Sequence, residues 1–162
     1  MSQTDGTLVT LDDGDGRQDT YRIYMLDPFE ASDIAADLIG IIAPAMAALA
    51  GESKTGADEL KAMLTSESLD GRALERAATI LFSKFDKHKQ RELINAMAKV
   101  TNVQIGGGGK EAKLPEVFTL HFRGRMGALY KWLFAALKVN FASFFASILP
   151  AIKAAVQSKA AL

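Results

Sequence analysis

The stretch ALYKWLFAALKVNFASFFASIL, residues 128–149, decides how this chain folds. At about 100° per residue, Leu129, Trp132, Leu133, Ala136 and Leu137 share one arc of a helix. Phe141, Phe144, Phe145, Ile148 and Ile152 share a second arc, rotated from the first by roughly a quarter turn. One straight helix would smear these faces together. Asn140 stands at the changeover, and Asn is second only to Gly at left-handed helix ends. The spacing therefore predicts two helices, about 125–139 and 141–158, with Pro150 bending the second.

The same stretch imitates a membrane span by length. It carries Lys131, Lys138 and Asn140 inside, and a central Lys costs roughly 2.5–3.5 kcal/mol on insertion scales. The reading is a protein helix and no membrane span. The N-terminus, Met-Ser-Gln-Thr-Asp-Gly, is polar and acidic, without the basic and apolar regions of a secretory signal, so the cytoplasm is the expected location.

Upstream, Val117–Phe122 (Val-Phe-Thr-Leu-His-Phe) and Val100–Ile105 read as strands by their β-branched and aromatic residues. Gly124 and Gly127 mark the entry to the helical C-terminus. At the other end, Thr7–Leu11 and Thr20–Leu26 form a hairpin around the turn-rich Asp-Asp-Gly-Asp-Gly-Arg-Gln-Asp. Asp27-Pro28-Phe29-Glu30 opens a helix as cap, first-turn proline and capping-box acid. Its apolar face is expected from Phe29, Ile34, Leu38, Ile41, Ile42, Ala45 and Leu49, and Pro44 is expected to kink or end it.

Between lie a polar loop over residues 51–56, a short helix near 57–64, and a helix capped by Asp70 with Leu74, Ala78, Leu81, Phe82 and Phe85 at helical spacing. Asp86 caps a further helix, with Leu93, Ile94, Met97 and Val100 inward and Lys87, Lys89, Arg91 and Lys99 outward. The fold class is α+β, mainly α-helical, with a small antiparallel β-sheet built from the N-terminal hairpin and strands near 100–105 and 117–122, followed by the two C-terminal helices. The 162 residues make a single domain: hairpin over 1–26, helical part over 27–99, strands over 100–122, helical part over 123–162.

Composition narrows the chemistry. With no Cys and two His, disulfides, thiol catalysis and the usual zinc quartets are out of reach. The net charge of zero is a cancellation: residues 1–70 hold 14 acidic and 4 basic side chains, and residues 71–162 hold 5 acidic and 15 basic. Such halves point to charge complementarity within the fold or between subunits.

Asp12, Asp13, Asp15 and Asp19 suggest calcium. An EF-hand loop centred on Gly16 would need a carboxylate at Leu11 and a Glu at Arg22, so a solvated turn is the better reading. Gly106–Gly109 with Lys110 lacks the Gly at 104 and the Ser or Thr at 111 of a phosphate loop, and reads as a connector. Neither His88 nor His121 has the neighbours of a nucleophilic site. Arg123-Gly124-Arg125, with Lys131 and Lys138, is a basic patch that meets either a phosphate or, the favoured reading, the chain's own acidic half. It lacks interleaved stacking aromatics, so nucleic acid is not expected as a partner. No catalytic residue, cofactor or metal is expected.

The aromatics Tyr130, Trp132, Phe134, Phe141, Phe144 and Phe145 fit core packing by default. They also point around too much of the helix for one small core to cover, which leaves some for a partner. On that ground Leu129, Trp132, Leu133, Leu137, Phe141, Phe144, Phe145 and Ile148 are the candidate partner-binding residues.

Phe118-Thr-Leu-His-Phe122-Arg-Gly124-Arg125-Met-Gly127, continued by Leu129, Leu133, Ala136-Leu137, Val139-Asn140-Phe141 and Phe144-Phe145, resembles the C-terminal region of phage tail assembly chaperones. The hairpin leading into Asp27-Pro28-Phe29-x-Ala31 is similar to that family too. The resemblance covers about half the chain, concentrated in its last third, and residues 51–113 add nothing to it. It implies a non-enzymatic protein that binds the helical tape-measure protein, keeps its apolar stretches soluble, and leaves as tail-tube protein polymerises. A different class stays open: a structural virion component, such as a tail-tube or tail-completion protein, whose oppositely charged halves stack head to tail as a homo-oligomer.

Overall fold

The computed structural model describes residues 5–13, 16–52, 83, 85–104 and 110–160. The helices expected near 57–64 and after Asp70 lie outside them, as does the Gly106–Gly109 run.

Two strands, β1 (Thr7–Asp12) and β2 (Gln18–Ile23), pair antiparallel from Thr7↔Ile23 to Asp12↔Gln18. The turn between them uses Gly16 at φ 80°, a conformation a Cβ would oppose. In β2, Asp19, Tyr21 and Ile23 are buried and alternate with partly exposed neighbours, the two-residue period of a strand with one covered face. Strand β3 (Thr101–Gln104) adds beside β2, with Tyr21 opposite Val103, and β4 (Glu111–Lys113) adds beside β3. The sheet order is β1-β2-β3-β4 throughout. On its outer face Arg22 Nε donates to Glu111 Oε1 at 2.8 Å, and Asn102 Nδ2 donates to Glu111 Oε2 at 3.3 Å. The Arg22 guanidinium holds the Glu111 carboxyl below the usual carboxylate range.

Helix α1 (Pro28–Glu52) begins as its sequence requires. Asp27 Oδ1 accepts from the Phe29 N–H at 2.9 Å, and Pro28 takes the first position, where no N–H is needed. The helix runs past Pro44 rather than ending there, although a proline nitrogen cannot make the helical hydrogen bond. Helix α2 (Lys87–Lys99) is capped by Asp86, whose carboxylate accepts from His88 and Lys89 N–H groups at 2.7 and 3.0 Å. Leu93 and Met97 are buried, while Lys87, Lys89, Arg91 and Lys99 face water.

Three expectations are corrected. Residues 117–122 are not a strand but part of helix α3 (Leu114–Phe122). Their β-branched and aromatic residues misled; the burial runs Leu114, Val117, Phe118, His121, Phe122, which is helical spacing. The fourth strand is instead the short β4 just before it. Phe29 does not belong to the apolar face of α1. Ile34, Leu38 and Ile42, which are buried, stand roughly 140° to 220° around the helix from it, and Phe29 is 83% exposed.

The third correction concerns the C-terminus, which is one helix, α4 (Met126–Ala160), unbroken at Asn140 and continuing through Pro150. The two C-terminal helices are therefore α3 and α4, not two pieces of α4. Asn140 ends nothing: its Oδ1 accepts from the Leu26 N–H at 2.8 Å, and its Nδ2 donates to the Tyr24 carbonyl at 3.4 Å and to Ala136 at 3.1 Å. With the Tyr24 N–H donating to the Val100 carbonyl at 2.8 Å, the link from β2 to α1 is held on both sides.

α4 is the spine. It contacts α1, α2, α3 and β1, and its buried side chains join those of the sheet and the other helices in one core. It is also long and apolar enough to cross a membrane by length and composition, over Met126–Ile152. Here that apolarity meets protein: Trp132, Leu133, Ala136, Phe145 and Leu149 are fully buried.

An Asn at a left-handed helix end is replaceable by Gly. A clip in the middle of a helix is not. Asn140→Ala is expected to cost about 1–3 kcal/mol, the penalty of leaving the part-buried Leu26 N–H and Tyr24 carbonyl without this partner. Asn140→Gly should cost roughly 1 kcal/mol more. Urea unfolding of the three proteins checks this ordering.

Candidate functional site

Of the eight candidate partner-binding residues, Leu129, Trp132, Leu133, Leu137, Phe141 and Phe145 are buried, and Phe144 and Ile148 are partly exposed. Trp132 stands against Phe118 and Phe122 with ring centroids 6.0 and 5.6 Å away. Its Nε1–H donates to Thr101 Oγ1 at 3.4 Å, and that hydroxyl donates to the Met97 carbonyl at 2.8 Å. Phe141, Phe144 and Phe145 form a second cluster, with centroids 5.9–6.2 Å apart. A partner meeting the chain in this conformation touches Phe144 and Ile148 of that set; the other six hold the fold.

The basic junction closes on the acidic hairpin. Gly124, at φ 72°, makes the turn between α3 and α4 and leaves Arg125 facing the hairpin loop. Arg125 donates to Asp13 Oδ2 at 3.0 Å, to Asp19 Oδ2 at 2.5 Å, and to the His121 carbonyl at 3.0 Å. Lys131 Nζ donates to the Asp12 carbonyl at 2.9 Å. Two of the aspartates that suggested calcium thus already face a guanidinium. Among the described residues, no group of three His, Asp or Glu is arranged to hold a metal.

Beneath Arg125 lies Tyr21, whose hydroxyl is 2.8 Å from His121 Nε2. Burial pushes the Tyr21 pKa up, and the nearby Asp19 adds to it, so the phenol stays protonated. With that phenol as donor, Nε2 accepts and the ring proton sits on Nδ1. Burial lowers the His121 pKa, against the pull of Asp19 Oδ2 at 3.9 Å; Arg125 and Arg17 add to the lowering. The result is a neutral Tyr–His pair under a charge-neutralising Arg–Asp clasp, which ties β1 and β2 to the α3–α4 turn. It is a structural latch, closed to the outside by its own salt bridges.

The exposed large apolar side chains lie elsewhere. Among the described residues they are Leu8, Met25, Phe29, Ile39, Leu120 and Met126, four of them in the acidic first part of the chain. Met25 is 65% exposed, on the link preceding α1, and Phe29 stands on its first turn. Aromatic and methionine side chains left in water beside charge are the usual anchors of protein interfaces. The helical position of Phe29, opposite Leu38, is the sequence signal that marks this surface.

A family model described as phage tail assembly chaperone protein, TAC, matches residues 15–152, and the chain belongs to that family. The match runs through residues 51–113 as well as the segments on either side of them, from 15 to 152. No curated protein and no solved structure matches the chain.

The latch makes two measurable demands. Arg125→Ala should destabilise the fold by about 3 kcal/mol, because Asp13 and Asp19, with side chains 10% and 7% exposed, lose their counter-charge. His121 has a folded pKa below its unfolded value, so the unfolded chain binds the proton first and stability falls as pH drops through about 6.5 and below. Urea midpoints taken between about pH 7 and pH 5 should fall for the native chain and fall less for His121→Gln. Parallel losses in the two proteins would exclude His121 as the source.

Proposed function

We propose that this chain, as a member of the phage tail assembly chaperone family, binds the tape-measure protein and keeps it soluble in the bacterial cytoplasm while the tail assembles. The family match over residues 15–152 carries the reading. The physics supports it: the fold presents apolar side chains, Met25 and Phe29 foremost, on an acidic surface, which suits amphipathic segments of a partner. A long apolar-striped partner aggregates through those stripes, and a carrier that covers them keeps them from meeting one another. Tail-tube protein is the second expected partner, taking over the tape-measure protein as the tube grows around it.

Co-expression with a candidate tape-measure protein from the same genome should raise that protein's soluble fraction several-fold and recover the pair in one pull-down. Absence of a complex, with both partners folded, rejects the reading. Recovery of the chain itself in purified particles would favour the structural virion role instead.

A further inference from the structure

The outward face of α1 carries a pattern that no other described element covers. Ser32, Ala36 and Gly40 are exposed at four-residue intervals and form a shallow track about two and a half turns long. A Cβ at Gly40 would meet nothing within 4 Å, so the track is open at that end. Phe29 stands at its start, 83% exposed. Glu30, Asp33 and Asp37 follow one flank at helical spacing. Among the described residues Asp37 pairs with Lys89 at 3.4 Å, and no cation pairs with Glu30 or Asp33. Beyond that flank, a groove of about 640 Å³ between α1 and α2 adds Glu92 to the same acidic rim, with Lys89 and Lys99 as its cations. Its floor, Ile34, Leu38 and Leu93, is already buried, so the groove contributes charge rather than apolar area.

A small-residue track admits a second helix at close approach, an exposed aromatic at its end supplies an anchor, and unpaired carboxylates along one edge select the sign of the visitor. We propose that this face docks a cationic amphipathic helix of the tape-measure protein, with Phe29 as the anchor and Glu30 and Asp33 as the charge-selecting rim. The inference rests on the chaperone reading above and adds to it the surface used and the chemistry of the segment recognised. The acidic face attracts Lys- or Arg-flanked helices and repels acidic ones before any contact forms.

The test uses the full chain and two synthetic helices of about 18 residues with the same Leu/Ala face, one flanked by Lys and the other by Glu. By fluorescence anisotropy, the Lys-flanked helix should bind about tenfold tighter or better, and added salt should narrow the gap. Phe29→Ala and Asp33→Lys should each weaken it by about tenfold with unchanged melting temperature, since both side chains are exposed. Equal binding of the two helices, or an unaltered Phe29→Ala, overturns the proposal. So does a light-scattering result in which the chain dimerises through this face and Phe29→Ala makes it monomeric.

Co-expression separates the two levels of the claim. If the native chain solubilises the tape-measure protein and Phe29→Ala does so equally, the surface is wrong and the function stands. If the native chain fails to solubilise it, the function falls, and the peptide measurement still decides whether α1 selects cationic helices.

Discussion

The structure depends on one requirement: α4 must bury two apolar arcs that do not share a face. The fold meets it by changing what covers the helix along its length. Trp132 and its neighbours meet the aromatic rings of α3 and the Thr101 hydroxyl of β3. Further on, Phe141, Phe145 and Leu149 are buried in the same continuous core, to which α1 contributes Ile34, Leu38 and Ile42. Two polar contacts set the helix in place. Arg125, just before its first turn, clasps the hairpin, and Asn140, near its middle, clips the link between β2 and α1. Hydrophobic burial supplies most of the free energy without direction; the hydrogen bonds decide rotation and axial position.

The net charge of zero resolves into separate local arrangements. Part of it is internal neutralisation, since Arg125 meets Asp13 and Asp19, and Arg22 meets Glu111. Lys89 meets Asp37 across the groove between α1 and α2. Among the described residues the carboxylates left over include Glu30 and Asp33 on the outer face of α1. In the latch, the buried Tyr21 and His121 side chains share one hydrogen bond, and Arg125 pairs with Asp13 and Asp19 beside them.

Most of the local structure was legible in particular residues. Asp27-Pro28 and Asp86 start helices where capping chemistry requires, and the hairpin forms around its Asp- and Gly-rich turn. The misreadings share a cause. Residues 117–122 have strand-like side chains at helix-like intervals, and propensity yielded to the tertiary cover available to Leu114, His121 and Phe122. Six of the eight candidate partner-binding residues are buried in the core for a related reason. A dense run of aromatics is what both a core and an interface look like in one dimension, and only the presence of α3, β3 and α1 against α4 distinguishes them.

By itself, then, the sequence determined the α+β class, the hairpin, the helix starts, the charge asymmetry and, through its packing and turn residues, the resemblance to tail assembly chaperones. These are properties of residues and near neighbours, set by spacing, capping and backbone preference. The tertiary structure alone decided that Asn140 clips rather than breaks, that Arg125 reaches back over more than one hundred positions to Asp13 and Asp19, and that Phe29 rather than Trp132 is left in water. Each depends on which distant element lies alongside, and periodicity within one helix holds no information about the neighbour that will cover it.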